Sequence, residues 1–145
     1  MRRLRRFFEL SSVERRLLLK AALVLVAARL GLWLLPLRRL RGLLARAAHP
    51  SADAHVAAPS ALERVVWAIE AAARSIPKST CLVKALAAQV LLGRAGYPAR
   101  LHVGVANQDK GFEAHAWLEC EGKIVIGEPE PGHYSPLLTL ETGKP

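Results

Sequence analysis

A chain of 145 residues, 52% of them apolar, has the length of one domain and can bury one modest core. Its net charge of +9 is unevenly held, because residues 1–48 carry 12 Lys/Arg against only Glu9 and Glu14, while residues 49–145 carry nine Lys/Arg against ten acids. That balance excludes a basic nucleic-acid groove across the whole protein and confines electrostatic attraction to the N-terminal segment.

Ser11 and Glu14 stand at capping-box spacing, so a helix is predicted from Ser12 to about Leu35. The segment 17–37 is apolar enough to raise the question of a membrane span, but Lys20, Arg29 and Pro36 interrupt it. A charge near mid-span costs roughly 2.5–3.5 kcal/mol. The uninterrupted run 21–28 is far shorter than the ~20 residues a span needs. A cleaved signal is disfavoured on the same grounds, since the apolar stretch begins late and carries charges. After Pro36, residues 37–48, rich in Arg and Leu, form a second short helix. The apolar stripe of this N-terminal helical segment, 1–48, must be covered by the rest of the chain, by a partner or by a membrane surface, and the sequence leaves all three open.

Residues 49–59 are rich in Pro, Ala, Ser, Asp and His without an apolar period, which marks a linker. A second capping box, Ser60 with Glu63, opens a helix whose apolar positions Leu62, Val65, Val66, Ile69, Ala73 and Ile76 follow helical spacing until Pro77 closes it. Ser79 and Thr80 are N-cap residues for a third helix, 81–92, almost wholly apolar, with Gly93 as its stop. Beyond Tyr97-Pro98 the period becomes two: 99–105 and 112–120 read as strands around a polar turn. Glu121-Gly122 is a tight hairpin and 123–128 the returning strand. The expected architecture is therefore α+β, a Cys-bearing helix on an antiparallel sheet that carries His, in a domain spanning 60–145.

The two cysteines, Cys81 and Cys120, form neither a disulfide framework nor a paired Cys/His zinc spacing, and His102 and His133 add no ligand-like spacing. No metal and no cofactor is expected, and a reducing cytoplasm suits the chain, with the membrane surface as a peripheral option. A thiol at a helix N-terminus faces unpaired N–H groups and the positive end of the helix dipole, which favours the thiolate. The same N–H groups can hold an oxyanion. Cys120 shares its strand face with Ala114, Ala116 and Leu118, away from His115, and is read as core. Trp117 shares the face of His115. If Glu121-Gly122 are the whole loop, Cys120 pairs with Lys123 and His115 lies opposite Glu128, whose carboxylate can accept the imidazole N–H. A three-residue loop places Gly127 or Pro129 there instead, and a dyad assisted by a backbone carbonyl or water is the alternative to a triad. The plain readings stand beside these: Cys81 as a buried small apolar residue and His115 as a satisfied core histidine.

A Cys at a helix N-terminus followed by a His in an antiparallel meander is the order of papain-like and transglutaminase-like Cys–His enzymes. More specifically, Ser79-Thr80-Cys81-Leu82, Ala85-Leu86-Ala87-Ala88-Gln89, Gly96-Tyr97-Pro98-Ala99, Leu101-His102-Val103-Gly104-Val105 and Phe112-Glu113-Ala114-His115-Ala116-Trp117-Leu118-Glu119 together resemble the lasso-peptide leader peptidases. That branch of the transglutaminase-like superfamily cuts the leader from a ribosomally made precursor. The resemblance covers about residues 60–140 and extends to the Arg/Leu-rich helices before them. It implies Cys81 as nucleophile, His115 as general base, and a pocket beside Cys81 for a threonine near the leader's end, with Trp117 as a candidate wall. The family's third residue is commonly an Asp; Gly127 and Glu128 stand there, and Glu128 is the candidate. Further implications are a separate winged-helix-type leader-binding partner, for which the N-terminal helices are a candidate docking surface, and an ATP-dependent lasso cyclase acting next. A non-enzymatic membrane-proximal adaptor and a thioester-dependent acyl transferase are the competing expectations.

Overall fold

The computed structural model describes residues 2–50, 59–108, 111–129 and 134–141. Most of the linker expected at 49–59, the tip of the turn after 108, and His133 therefore lie outside the described residues. Five helices precede four strands: α1 (Arg2–Glu9), α2 (Ser12–Leu34), α3 (Leu37–Ala47), α4 (Pro59–Ala73), α5 (Cys81–Arg94), β1 (Ala99–Gln108), β2 (Gly111–Cys120), β3 (Lys123–Ile126) and β4 (Ser135–Glu141).

The first capping box forms as its spacing demands. Ser11 Oγ accepts the Glu14 N–H at 3.3 Å, and Glu14 Oε2 takes the Ser11 backbone N–H at 2.9 Å and its hydroxyl at 2.8 Å. These bonds, the hydroxyl's first and the N–H's second, hold the Glu14 carboxyl below the ordinary glutamate range. A carboxylate depressed in the folded state stabilises it above the unfolded pKa of about 4.3, and that contribution disappears as pH falls through the folded value. The stability difference between wild type and Glu14→Gln is thus expected to be constant near neutrality and to shrink on acidification. Urea titrations along a pH series measure it, and a difference independent of pH would count against the assignment.

α2 is apolar nearly all round, and one side of it is in the core: Ala21, Leu25 and Ala28 are fully buried against α4 and α5. In length and composition it is also the one helix among the described residues that could cross a membrane. The N-terminal segment and the Cys-bearing helix share a single hydrophobic cluster, which runs from Leu25 and Leu40 through Ile69, Leu86 and Leu92 to Leu101, Leu118 and Ile126 of the sheet. α5 lies at its centre and touches α2, α3, α4 and three strands. That position explains why all residues from Ala85 to Gly93 are buried.

The stop expected at Gly93 falls later. Gly93 is a buried member of α5, and the helix ends in a Schellman motif around Gly96, where Tyr97 N–H reaches Leu92 O at 2.8 Å and Gly96 N–H reaches Gly93 O at 3.1 Å. α4 begins at Pro59, one residue before the expected Ser60 cap, as proline permits in a first turn.

The sheet is antiparallel in the order β3-β2-β1-β4. The strand β4 was not expected, because Ser135-Pro136-Leu137-Leu138 lacks alternation and contains proline; an edge position tolerates both. The two-residue hairpin is present, with Glu121 (φ 53°) and Gly122 (φ 77°) both left-handed, and it pairs Cys120 with Lys123 and Glu119 with Ile124. The register then slips: Leu118 pairs with Ile126, leaving Val125 as a bulge.

Candidate active site

Cys81 is the first residue of α5 and is half-buried. Thr80 is extended and its hydroxyl accepts the Val83 N–H at 3.4 Å, so the remaining first-turn N–H groups, which have no intrahelical acceptor, are those nearest the thiol. The loop leading in is anchored from two sides. Ser79 Oγ donates to Ile76 O at 2.8 Å, and the Arg29 guanidinium of α2 donates to the carbonyl of Pro77. Arg29, which interrupts the apolar run of α2, thus ties that helix to the turn before the nucleophile candidate. Gln89 lies about 80° around the helix from Cys81 and donates from Nε2 to Ala99 O at 3.2 Å, joining α5 to β1.

On β2, strand alternation sends Ala116, Leu118 and Cys120 into the core beneath α5 and leaves His115, Trp117 and Glu119 on the opposite face. Here the side chains form a row. Trp117 is nearly buried between two imidazoles, with centroids 5.5 Å from His102 and 6.3 Å from His115, both near parallel. Tyr134 closes on the outer side of His115 at 5.1 Å. Gly104, directly across from His115, makes room for the row: a Cβ there would stand 2.9 Å from the Trp117 ring.

The Nε2–H of His115 donates to the carbonyl of Gly127 at 2.7 Å, which leaves Nδ1 as the basic nitrogen of the neutral ring. The bulge at Val125 is the cause. It advances the returning strand by one residue, so the position opposite His115 expected for Glu128 is lost, and the Glu128 side chain is exposed. Gly127 sits at φ 70°, and a Cβ on it would come within 2.6 Å of Ala116 O. The acceptor on the imidazole is therefore a backbone carbonyl, one of the alternatives that the hairpin count left open, rather than the carboxylate. Among the described residues no hydrogen bond joins Cys81 to His115: the structure brings His115 together with Gly127, Trp117 and Tyr134, and sets Cys81 at the entrance of α5.

His102 takes a part that spacing alone did not suggest. Its Nε2–H donates to Glu119 Oε2 at 3.2 Å and its Nδ1 pairs with the Thr139 hydroxyl at 3.0 Å, so both nitrogens are occupied and the ring is fixed over Trp117. The signal was half available, since His102 and Trp117 face each other across the β1–β2 pair, but Thr139 lies on the unexpected β4.

Cys120 is almost fully buried and donates from Sγ to Pro98 O at 3.5 Å. Burial first, and the nearby Glu121 second, push its thiol pKa up. Iodoacetamide at neutral pH is accordingly expected to modify Cys81 alone in the native protein and both thiols in urea, as peptide mass mapping would record; native labelling of Cys120 would contradict its placement.

The fold is an α+β domain with a cysteine at the start of α5 and, on the adjacent antiparallel sheet, a histidine oriented by a backbone carbonyl. The sequence model of the transglutaminase-like superfamily matches residues 22–139, from within α2 to β4, and the chain belongs to that superfamily. The superfamily includes cysteine peptidases and acyltransferases and commonly uses cysteine-based catalysis. No curated protein and no solved structure matches the chain.

Proposed function

We propose that the chain is a cysteine peptidase that removes the leader from a lasso-peptide precursor, with Cys81 as nucleophile, His115 as base and a separate leader-binding protein presenting the substrate. The observation that carries this reading is the half-buried thiol at the capped N-terminus of α5 in a member of a superfamily built on cysteine chemistry. The substrate class rests on the motif resemblance. In the proposed reaction the Cys81 thiolate attacks the carbonyl of the leader's last residue, and the first-turn N–H groups of α5 receive the oxyanion. His115 passes the thiol proton to the leaving amine, which departs as the core peptide's new N-terminus. Water, deprotonated by the same ring, then hydrolyses the thioester and releases the leader. The scheme requires Cys81 and His115 to come within hydrogen-bond reach of each other in the substrate complex. The Gly127 carbonyl orients His115, and Trp117, held between two histidines, fixes the plane of its ring.

Incubation with precursor and leader-binding partner should yield free leader and core by mass spectrometry. Intact precursor with active partner would remove the substrate assignment, and leader joined to an added amine would identify acyl transfer instead. The dyad has its own test, independent of substrate: the pH profile of Cys81 alkylation should change in His115→Ala. Superimposable profiles would show that the two groups are not coupled.

A further inference from the structure

The face of α2 turned away from the core is apolar too. Leu19, Leu23, Val26, Leu30 and Trp33 recur at alternating spacings of four and three, which places them on one stripe, and Leu34 and Leu37 extend it. Their exposures run from 41% at Val26 to 81% at Trp33, and such a continuous apolar patch marks an interaction site rather than ordinary surface. Basic groups stand at both ends: exposed Arg16 before it and exposed Lys20 beside its first residue, exposed Arg38 and Arg39 on the first turn of α3 after it.

We propose that this stripe is a peripheral contact with an anionic lipid surface, with α2 lying in the plane of the headgroups. Spanning is the wrong geometry for it. Ala21, Leu25 and Ala28 are fully buried against α4 and α5, and Arg29 is bonded to Pro77, so drawing α2 across a bilayer would strip the domain of one wall of its core. An in-plane helix keeps that wall and still buries the outer stripe. Charge selects the occupant. Residues 1–48 hold 12 Lys/Arg against two acids, so a second copy docked on this face would oppose like charge with like, whereas anionic headgroups complement it. Trp33, the most exposed of these apolar residues, has the amphipathic ring suited to the headgroup boundary.

The test uses the full chain with vesicles of equal parts phosphatidylglycerol and phosphatidylcholine, against phosphatidylcholine alone. Co-sedimentation is expected with the anionic vesicles only, and weaker at high salt as the charges are screened. Leu23→Glu or Trp33→Glu should each lower partitioning at least ~10-fold, by loss of an apolar anchor. Arg38→Ala with Arg39→Ala should lower it roughly 30-fold. Helical circular dichroism and Cys81 reactivity, unchanged in these surface variants, establish that they fold. The proposal is overturned by absence of binding to anionic vesicles, by undiminished binding of Leu23→Glu, or by resistance to alkaline extraction, which would indicate spanning. A dimer in sedimentation that Leu23→Glu abolishes, without vesicle binding, would assign the face to a second copy.

Discussion

With Cys81 as the nucleophile of the proposed peptidase, its replacement by alanine is expected to lower leader cleavage by about 10³-fold or more and to abolish the acyl-enzyme mass. The substitution removes only the sulfur from a half-buried first position of α5, where alanine is well tolerated, so the fold should persist and the loss should lie in the chemistry. Cys120→Ala makes the contrast. That side chain lies in the core beneath α5, so its removal should cost stability through a small cavity while leaving the rate per folded molecule close to wild type. Single-turnover cleavage with intact-protein mass measurement reads both variants. Substantial activity in Cys81→Ala would end the nucleophile assignment, whatever the substrate proves to be.

The second large effect is expected at Gly127, and it separates a carbonyl-oriented histidine from a carboxylate-assisted one. Gly127→Ala places a Cβ 2.6 Å from the Ala116 carbonyl oxygen on a residue whose φ is 70°. The left-handed conformation alone costs a residue with a Cβ about 1–2 kcal/mol, and the close approach to a backbone oxygen forces the segment to move. Since its carbonyl holds Nε2 of His115 at 2.7 Å, the imidazole should lose its orientation. Displacement of a catalytic group by roughly 1 Å is worth about 10²-fold in rate. Glu128→Gln should remain within about twofold of wild type, the usual range for an exposed substitution. Thermal unfolding of both variants separates instability from lost rate. A severe defect in Glu128→Gln with a normal Gly127→Ala would restore the carboxylate as third member.

The parts legible in the sequence were those set by local chemistry. The capping box at Ser11 and Glu14, the Thr80 cap, Pro36 between two helices and the Glu121-Gly122 turn each depend on neighbours within a few residues, and each is present. Alternation along β2 placed Cys120 inside and put Trp117 with His115, because the side-chain period of a strand is a property of the backbone. The position of Cys81 at the start of a helix was legible as well, because the Thr80 cap that sets it is local.

Where the expectation and the structure part, a distant residue decides. The bulge at Val125 shifts the register by one and gives His115 a carbonyl instead of a carboxylate, since a hairpin turn sets the pairing at its mouth and not beyond an interruption. The edge strand β4 supplies Thr139 to His102, 37 residues away in the chain, with no local pattern to announce it. α2 shows the limit most clearly. Composition marked it as apolar but for interruptions at Lys20 and Arg29, and composition cannot say which side meets α4 and α5 and which meets the outside. Only the tertiary packing makes that division, burying Ala21, Leu25 and Ala28 and leaving Leu23 and Trp33 exposed, because burial is a relation between surfaces and not a property of any one stretch of chain.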